Sequence, residues 1–181
     1  MTTVLTAKKT TADEGTRAGL RWLCQTDLYY LVTVVLNADN PASKISPVLH
    51  TALCDFIQTT PYRTNLYMMS RGYLKTAFIT VGRNIQRLCI NPQTRILIGS
   101  NKADNAAAML NEIKGHLASP LMLWLFPDIL YRDPTREAER WTTEAITVKR
   151  PRRTREATIE IIGESGETTS KHFDQIGRAH V

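Results

Sequence analysis

The chain has 181 residues, 43% of them hydrophobic and 22% charged, the proportions of about one globular domain with a buried core, and not those of a disordered, collagen-like or linker-dominated chain. Lys and Arg number 23 against 17 Asp and Glu, a formal charge of +6, which favours polyanionic partners such as nucleotides or nucleic acid. The longest apolar stretch, Leu28 to Leu36, is far short of the roughly 20 residues of a membrane span, and the polar start is no signal peptide, so neither a membrane nor export is expected.

In chain order, residues 1–16 carry no apolar period and read as a flexible N-terminal arm. From Arg17, residues Leu20, Leu23, Cys24, Leu28, Leu31, Val32, Val35 and Leu36 fall near the 3.6 period of a helix, with Thr26 or Asp27 placed to cap a second piece. Cys24, Cys54 and Cys89 are odd in number and far apart, so they read as reduced, buried, cytoplasmic thiols. NADNPASKIS breaks the helical pattern, after which Ser46 as N-cap and Pro47 at the first position open another helix. Its expected buried stripe is Val48/Leu49, Ala52/Leu53 and Phe56/Ile57.

TTPYRTN is a loop, Leu66 to Met69 a short strand, and a helix should run from about Thr76 to Leu88. Residues 95–99 (RILIG) make a second strand, followed by a helix from Asn101 or Asp104 that carries Ala107, Met109, Leu110, Ile113 and Leu117. This alternation implies a parallel sheet. SPLMLWLFPDILYRDPTREAERW belongs on the domain surface or its edge, ITVK (146–149) and TIEII (158–162) read as an antiparallel pair, and FDQI opens another core strand after the loop GESGETTSKH. The expected fold is α/β, a mostly parallel sheet flanked by helices with a late antiparallel strand pair.

The segment that carries chemistry is the apolar strand, the loop Ser70 to Leu74, then Lys75 and Thr76 opening a helix. A triphosphate needs converging backbone N–H groups, the positive end of a helix dipole, a Lys reaching the β/γ-phosphates and a hydroxyl for Mg²⁺. Lys75 and Thr76 would supply the last two. Against the usual pattern GxxxxGK followed by Ser or Thr, Met69 and Leu74 stand where the signature glycines should be, and only Gly72 relieves the loop. The alternative is that Lys75 and Thr76 are surface residues at a helix start. The strand before, the amphipathic helix after and the second strand about twenty residues later favour a mononucleotide-binding βαβ unit, a P-loop NTPase.

SRGYLKT, with Arg71 four positions before the Lys, resembles the atypical Walker A loop of tailed-bacteriophage terminase large subunits, the ATPases that pump DNA into capsids. HTALCDFI, RILIGSNKADNAAAMLNEIK, SPLMLWLFPDI and TIEIIGESGETTSKHFDQI look similar to the same family, in order, from about Arg17 to Ile176. Ser170 departs from it, since many relatives carry Gly before a basic residue and His. The resemblance implies a terminase-like ATPase domain over 17–176, with ATP and Mg²⁺ as cofactors. Ser70, Arg71, Gly72, Tyr73, Leu74, Lys75 and Thr76 would bind the nucleotide, Thr76 would ligate Mg²⁺, and Arg71 and Lys75 would be catalytic. Arg71 would be a cis-acting arginine that neutralises transition-state charge, its alternative being a surface salt bridge. The helix around His50 lies where the family packs against adenine, and Lys171 and His172 lie beside the nucleotide site or a neighbouring subunit, their alternative a polar turn. Implied partners are double-stranded DNA, the terminase small subunit, the portal protein and sister copies assembled on the portal, in the cytoplasm of an infected bacterial host.

Hydrolysis in such enzymes needs a strand ending in acidic residues. HFDQI resembles its beginning, Asp174 lies too early to substitute, and no carboxylate pair follows. Residues 176–181 match the translation of a widely used sequencing adapter, and 177–181 are expected to be an artefact of read-through on a truncated gene. Poor hydrolysis is therefore expected of this chain. KRPRRTR holds Lys149, Arg150, Arg152, Arg153 and Arg155, which would either grip DNA phosphates or form a solvated hairpin tip. The histidines lack metal-ligand spacing, and Trp22, Trp124 and Trp141 are expected to be packing residues, their alternative base-stacking platforms. Two alternatives to the packaging motor are another P-loop DNA motor, helicase-like, and a non-catalytic basic DNA-binding module.

Overall fold

The computed structural model describes residues 2–36, 45–163 and 171–179; most of the expected break at 37–46 and of the loop at 163–172 lies outside them. Helix α1 (Thr2–Thr26) includes the segment expected as an arm. No proline or glycine precedes Gly15, so nothing interrupts a helix extended back from Arg17. Asp27 caps the next piece, its carboxylate accepting from the Tyr30 N–H at 2.9 Å, and α2 (Leu28–Tyr30) runs into a π-helical stretch, Leu31–Val35.

Helix α3 (Pro47–Thr59) begins with Ser46 at the N-cap and proline in the first turn, as expected. Its buried face matches the expected stripe only in part: Ile57 is buried as expected and Leu53 half-buried, but Val48, Leu49 and Phe56 are exposed, and His50 and Cys54 are buried in their place. Positions 50, 54 and 57 are also helically spaced, and the His50 ring stacks on Phe78 at 4.8 Å, which brings a polar residue inward. Leu66 to Met69 is extended but joins no sheet among the described residues. Leu66 and Met68 point outward, 82% and 84% exposed, while Tyr67 packs edge-on to Phe56. The two-residue alternation of a strand is present, but no ladder joins it to another strand among the described residues.

After Lys75 the chain is helical through a π-helical segment, Thr76–Gly82, into α4 (Arg83–Ile90). β1 (Ile96–Ser100), α5 (Ala103–Leu117), α6 (Pro120–Leu125) and the short α7 (Pro134–Glu137) follow, then β2 (Ala145–Ile146), β3 (Ile159–Ile162) and β4 (Gln175–Ala179). The sheet has the order β2-β3-β1-β4. β1 is central and parallel to both neighbours, with Ile96 aligned on Ile159 and on Gln175, and β2 is antiparallel to β3. The fold is mixed α/β with a mostly parallel sheet and the expected late antiparallel pair. FDQI opens a strand as expected, β4, but among the described residues that strand lies at an edge of the sheet, its Ile176 71% exposed, and not in the core. Gly177 to Ala179, expected as an artefact, pair with Ile98 to Ser100.

Ile96, Leu97 and Ile98 are all buried, so β1 is covered on both faces. The main core joins α1, α4, α5 and the sheet, and it also takes in Met122, Leu125, Phe126, Ile129 and Leu130, the segment expected at the surface. Arg21 holds it there: the guanidinium lies 4.8 Å from the Phe126 ring centroid, pairs with Asp128 at 2.6 Å and donates to the Leu125 carbonyl at 3.1 Å. Trp124 and Trp141 pack against this core, but Trp22 is 61% exposed. A smaller cluster of Leu28, Val32, Cys54, Ile57 and Phe78 ties α2 and α3 to the π-helical segment. Among the described residues no helix is long and apolar enough to cross a membrane.

Candidate functional site

The loop from Ser70 to Lys75 lies over the smaller cluster and delivers the chain into the helix that starts at Lys75. Two backbone conformations shape it, φ +90° at Gly72 and φ +51° at Leu74. Glycine takes the first without steric penalty. Leucine does not, since the left-handed region costs an ordinary residue on the order of 1–2 kcal/mol. What offsets this is packing and hydrogen bonding: the half-buried Leu74 side chain lies against the Leu28 and Phe78 cluster, and its carbonyl accepts the Phe78 N–H at 3.2 Å. Leu74 therefore has the backbone conformation usual for a glycine, at one of the positions where the signature glycine is missing.

His50 props the loop from below. Nδ1 lies 2.9 Å from both the N–H and the carbonyl of Ser46, and Nε2 lies 3.2 Å from the Tyr73 carbonyl, to which it donates in the tautomer that carries the proton on Nε2. The ring is 1% exposed and stacked on Phe78, so its position is fixed. This contact places His50 beneath the loop backbone. A single histidine in a helix gives no sign of such a role; the nearest signal is a polar residue at i, i+4 and i+7 with Cys54 and Ile57.

Ser70, Arg71, Gly72 and Tyr73 are exposed, and Leu74, Lys75 and Thr76 half-buried. Lys75 folds back across the loop, its Nζ donating to the Met69 carbonyl at 3.2 Å. Arg71 makes no ion pair among the described residues. The structure thus brings residues 70–76 into one turn at a helix start, with two cationic side chains. No described Asp or Glu is bonded to Lys75 or Thr76, and no group of His, Cys, Asp and Glu able to hold a metal occurs among the described residues.

The acidic and basic residues late in the chain are engaged elsewhere. Asp174 takes both Nε and Nη2 of Arg95, at 3.0 and 2.9 Å, and the Arg95 N–H at 2.9 Å, and the Arg95 side-chain hydrogen bonds hold its carboxyl below the usual range. Lys171 donates to the buried Glu160 at 2.6 Å, and the His172 N–H donates to Glu156 at 3.3 Å. At Glu160 burial raises the pKa, but Lys171, the Ala157 N–H and Arg140 outweigh it and the net direction is down. These contacts fasten the approach to β4 onto β3 and β1, and none of them involves the loop. In the basic run, Lys149 donates to the Pro127 carbonyl and Arg150 to Thr154 and to the Glu156 carbonyl. Arg152, Arg153 and Arg155 are exposed.

Compared with protein-family models, with curated proteins and with solved structures, the chain matches none significantly.

Proposed function

We propose that residues 70–76 are a phosphate-binding loop for a nucleoside triphosphate, and that the chain is the ATP-binding part of a terminase-type, P-loop DNA-packaging motor. The observation that carries the reading is the loop backbone, with positive φ at Gly72 and Leu74 directly before a helix N-terminus and the Lys75 ammonium lying across it. Alternating backbone hand of this kind turns successive N–H groups toward one point, and the helix dipole adds positive potential there. An entering phosphate would replace the Met69 carbonyl as the partner of Lys75. His50 would keep the loop in place while this happens, through Tyr73.

Thr76 is the side chain positioned to ligate Mg²⁺, an ion that takes most of its other ligands from phosphates and water. When bound, Mg²⁺ neutralises charge on the β/γ-phosphates. Arg71, exposed at the turn, would supply further positive charge to the γ-phosphate. A carboxylate that orients water is not among the contacts of Lys75 or Thr76, so ATP binding should exceed turnover. Double-stranded DNA, the portal, the small subunit and sister copies enter this proposal through the sequence resemblance.

The test is Mg-ATP binding by the full chain, read with a fluorescent nucleotide. Lys75→Ala should weaken binding at least tenfold, about 1.4 kcal/mol, with the circular dichroism spectrum unchanged. Equal affinity in both proteins would reject the loop, and the absence of any Mg-ATP binding would favour the basic DNA-binding module. Dependence on portal and capsid, measured in a packaging assay, separates the packaging motor from a helicase-like one.

A further inference from the structure

A second concentration of positive charge lies away from the loop. Between the end of α3, the extended segment before Ser70, α4 and the start of β4 is a cleft of about 420 Å³. Arg83 and Arg87, four residues apart and so on one side of the helix, line it together with Arg63, Tyr67 and Gln175. Both α4 arginines are half-buried, and both Nε groups are enclosed with no acceptor. Arg83 donates from Nη1 to the neutral Gln86 side chain at 2.5 Å. Neither arginine pairs with a carboxylate among the described residues, and Asp174, on the cleft wall, is already committed to Arg95. The Gln175 Oε1 is also buried and unpartnered.

Buried charges are ordinarily paired, and two like charges in one wall are the opposite arrangement. Burial first, and Arg87 second, pull the Arg83 pKa down from its ordinary value. An anion in the cleft would supply the counter-charge that the two guanidinium groups lack and cancel the repulsion. We propose that this cleft is a binding site for a phosphate group, gripped by Arg83 and Arg87 on α4, with Arg63 on the facing segment. Guanidinium forks suit phosphate in two-point geometry, and the cleft has the volume of a small-ligand pocket. None of residues 70–76 lines this cleft. The cleft is therefore a separate site, and it does not depend on the loop being a nucleotide site.

The experiment measures binding of three probes to the full chain: inorganic phosphate, ATP without Mg²⁺, and a labelled double-stranded oligonucleotide. Wild type is compared with Lys75→Ala, with Arg83→Met/Arg87→Met, and with Arg83→Lys/Arg87→Lys. Phosphate should bind wild type and Lys75→Ala alike and bind the methionine pair at least tenfold more weakly. The melting temperature of the methionine pair in phosphate-free buffer should be unchanged or higher, because unpaired charge has been removed. If the methionine pair fails to fold, the lysine pair decides: it should keep the charge but lose several-fold in affinity with the bidentate geometry. Binding of phosphate and ATP assigns the site to free phosphates. Oligonucleotide binding alone, with a salt slope that falls in the arginine variants, assigns it to a nucleic-acid backbone. Probes that fail to bind wild type, or that bind wild type and both arginine variants equally, overturn the proposal.

Discussion

Leu74 holds a left-handed conformation at φ +51° while its side chain is packed against the cluster beneath the loop. The two requirements conflict, since the residue best suited to the backbone has no side chain to bury. Replacement separates them. Leu74→Ala loses the packing and keeps the backbone penalty, whereas Leu74→Gly loses the packing and removes the penalty. Glycine normally destabilises relative to alanine by roughly 0.5–1 kcal/mol; at this position the order should reverse, with the glycine variant more stable by about 1 kcal/mol. Urea unfolding of the two variants reads the difference, and an alanine variant equal to or more stable than the glycine variant would show that the loop lacks this geometry. A reversed order together with retained nucleotide binding in Leu74→Gly would also show that loop curvature, and not the leucine, is what the phosphate needs.

At the scale of elements, the π-helical segment after the loop is held in place by a glycine. A Cβ built on Gly82 would stand 2.3 Å from Val32 Cγ2 and 3.0 Å from the Ala77 carbonyl. Val32 is 5% exposed and β-branched within a helix, so it has little rotamer freedom with which to yield. Gly82→Ala should therefore destabilise by about 1–3 kcal/mol despite the better helix propensity of alanine. Val32→Ala introduced with it should recover part of the loss, a coupling that a double-mutant cycle in chemical denaturation measures. Strictly additive effects would mean that the two segments do not meet at Gly82.

The same scale shows what the sequence could reveal. Helical period and end signals are local, and so Asp27, Ser46 with Pro47, and the helix beginning after Leu74 are readable from residues alone. Strand pairing is not local. Leu66 to Met69 has the alternation of a strand, but only a partner can make it one, and β1 already has β3 and β4 on its two sides. Prolines around 120–134 suggest surface loops, yet the apolar side chains between them fill the main core, because Pro120 and Pro134 occupy first turns, where a missing N–H costs nothing. Within the candidate site, the order of residues 70–76 and the position of Lys75 were legible. The left-handed Leu74 was not, because leucine does not signal that conformation, nor was the His50 prop, which depends on a contact across 23 residues.

For the whole molecule, titratable groups held away from their ordinary values set the pH range of stability. Burial pushes the Cys24 thiol from 9.0 up to about 11 and the Cys54 thiol to about 12, and burial raises Cys89 as well. All three are free and enclosed. Their folded-state values lie above the unfolded one, so their contribution is complete below about pH 9 and is lost as the pH rises through the folded values. Between those limits each unfolded thiol that ionises steepens the decline by up to about 1.4 kcal/mol per pH unit. Asp128, Glu156, Glu160 and Asp174 are shifted down, so their contribution is present above the ordinary carboxylate values and is lost as the pH falls through the lowered ones. Thermal melts across this range should show a plateau bounded on the acid side by the carboxylates and on the alkaline side by the thiols. Cys54→Ala should be less stable on the plateau but decline less steeply above about pH 9. A decline identical to that of wild type would assign the alkaline limit to other groups. A thiol reagent that labels all three cysteines of the native chain at neutral pH as fast as in denaturant would show that the core does not enclose them.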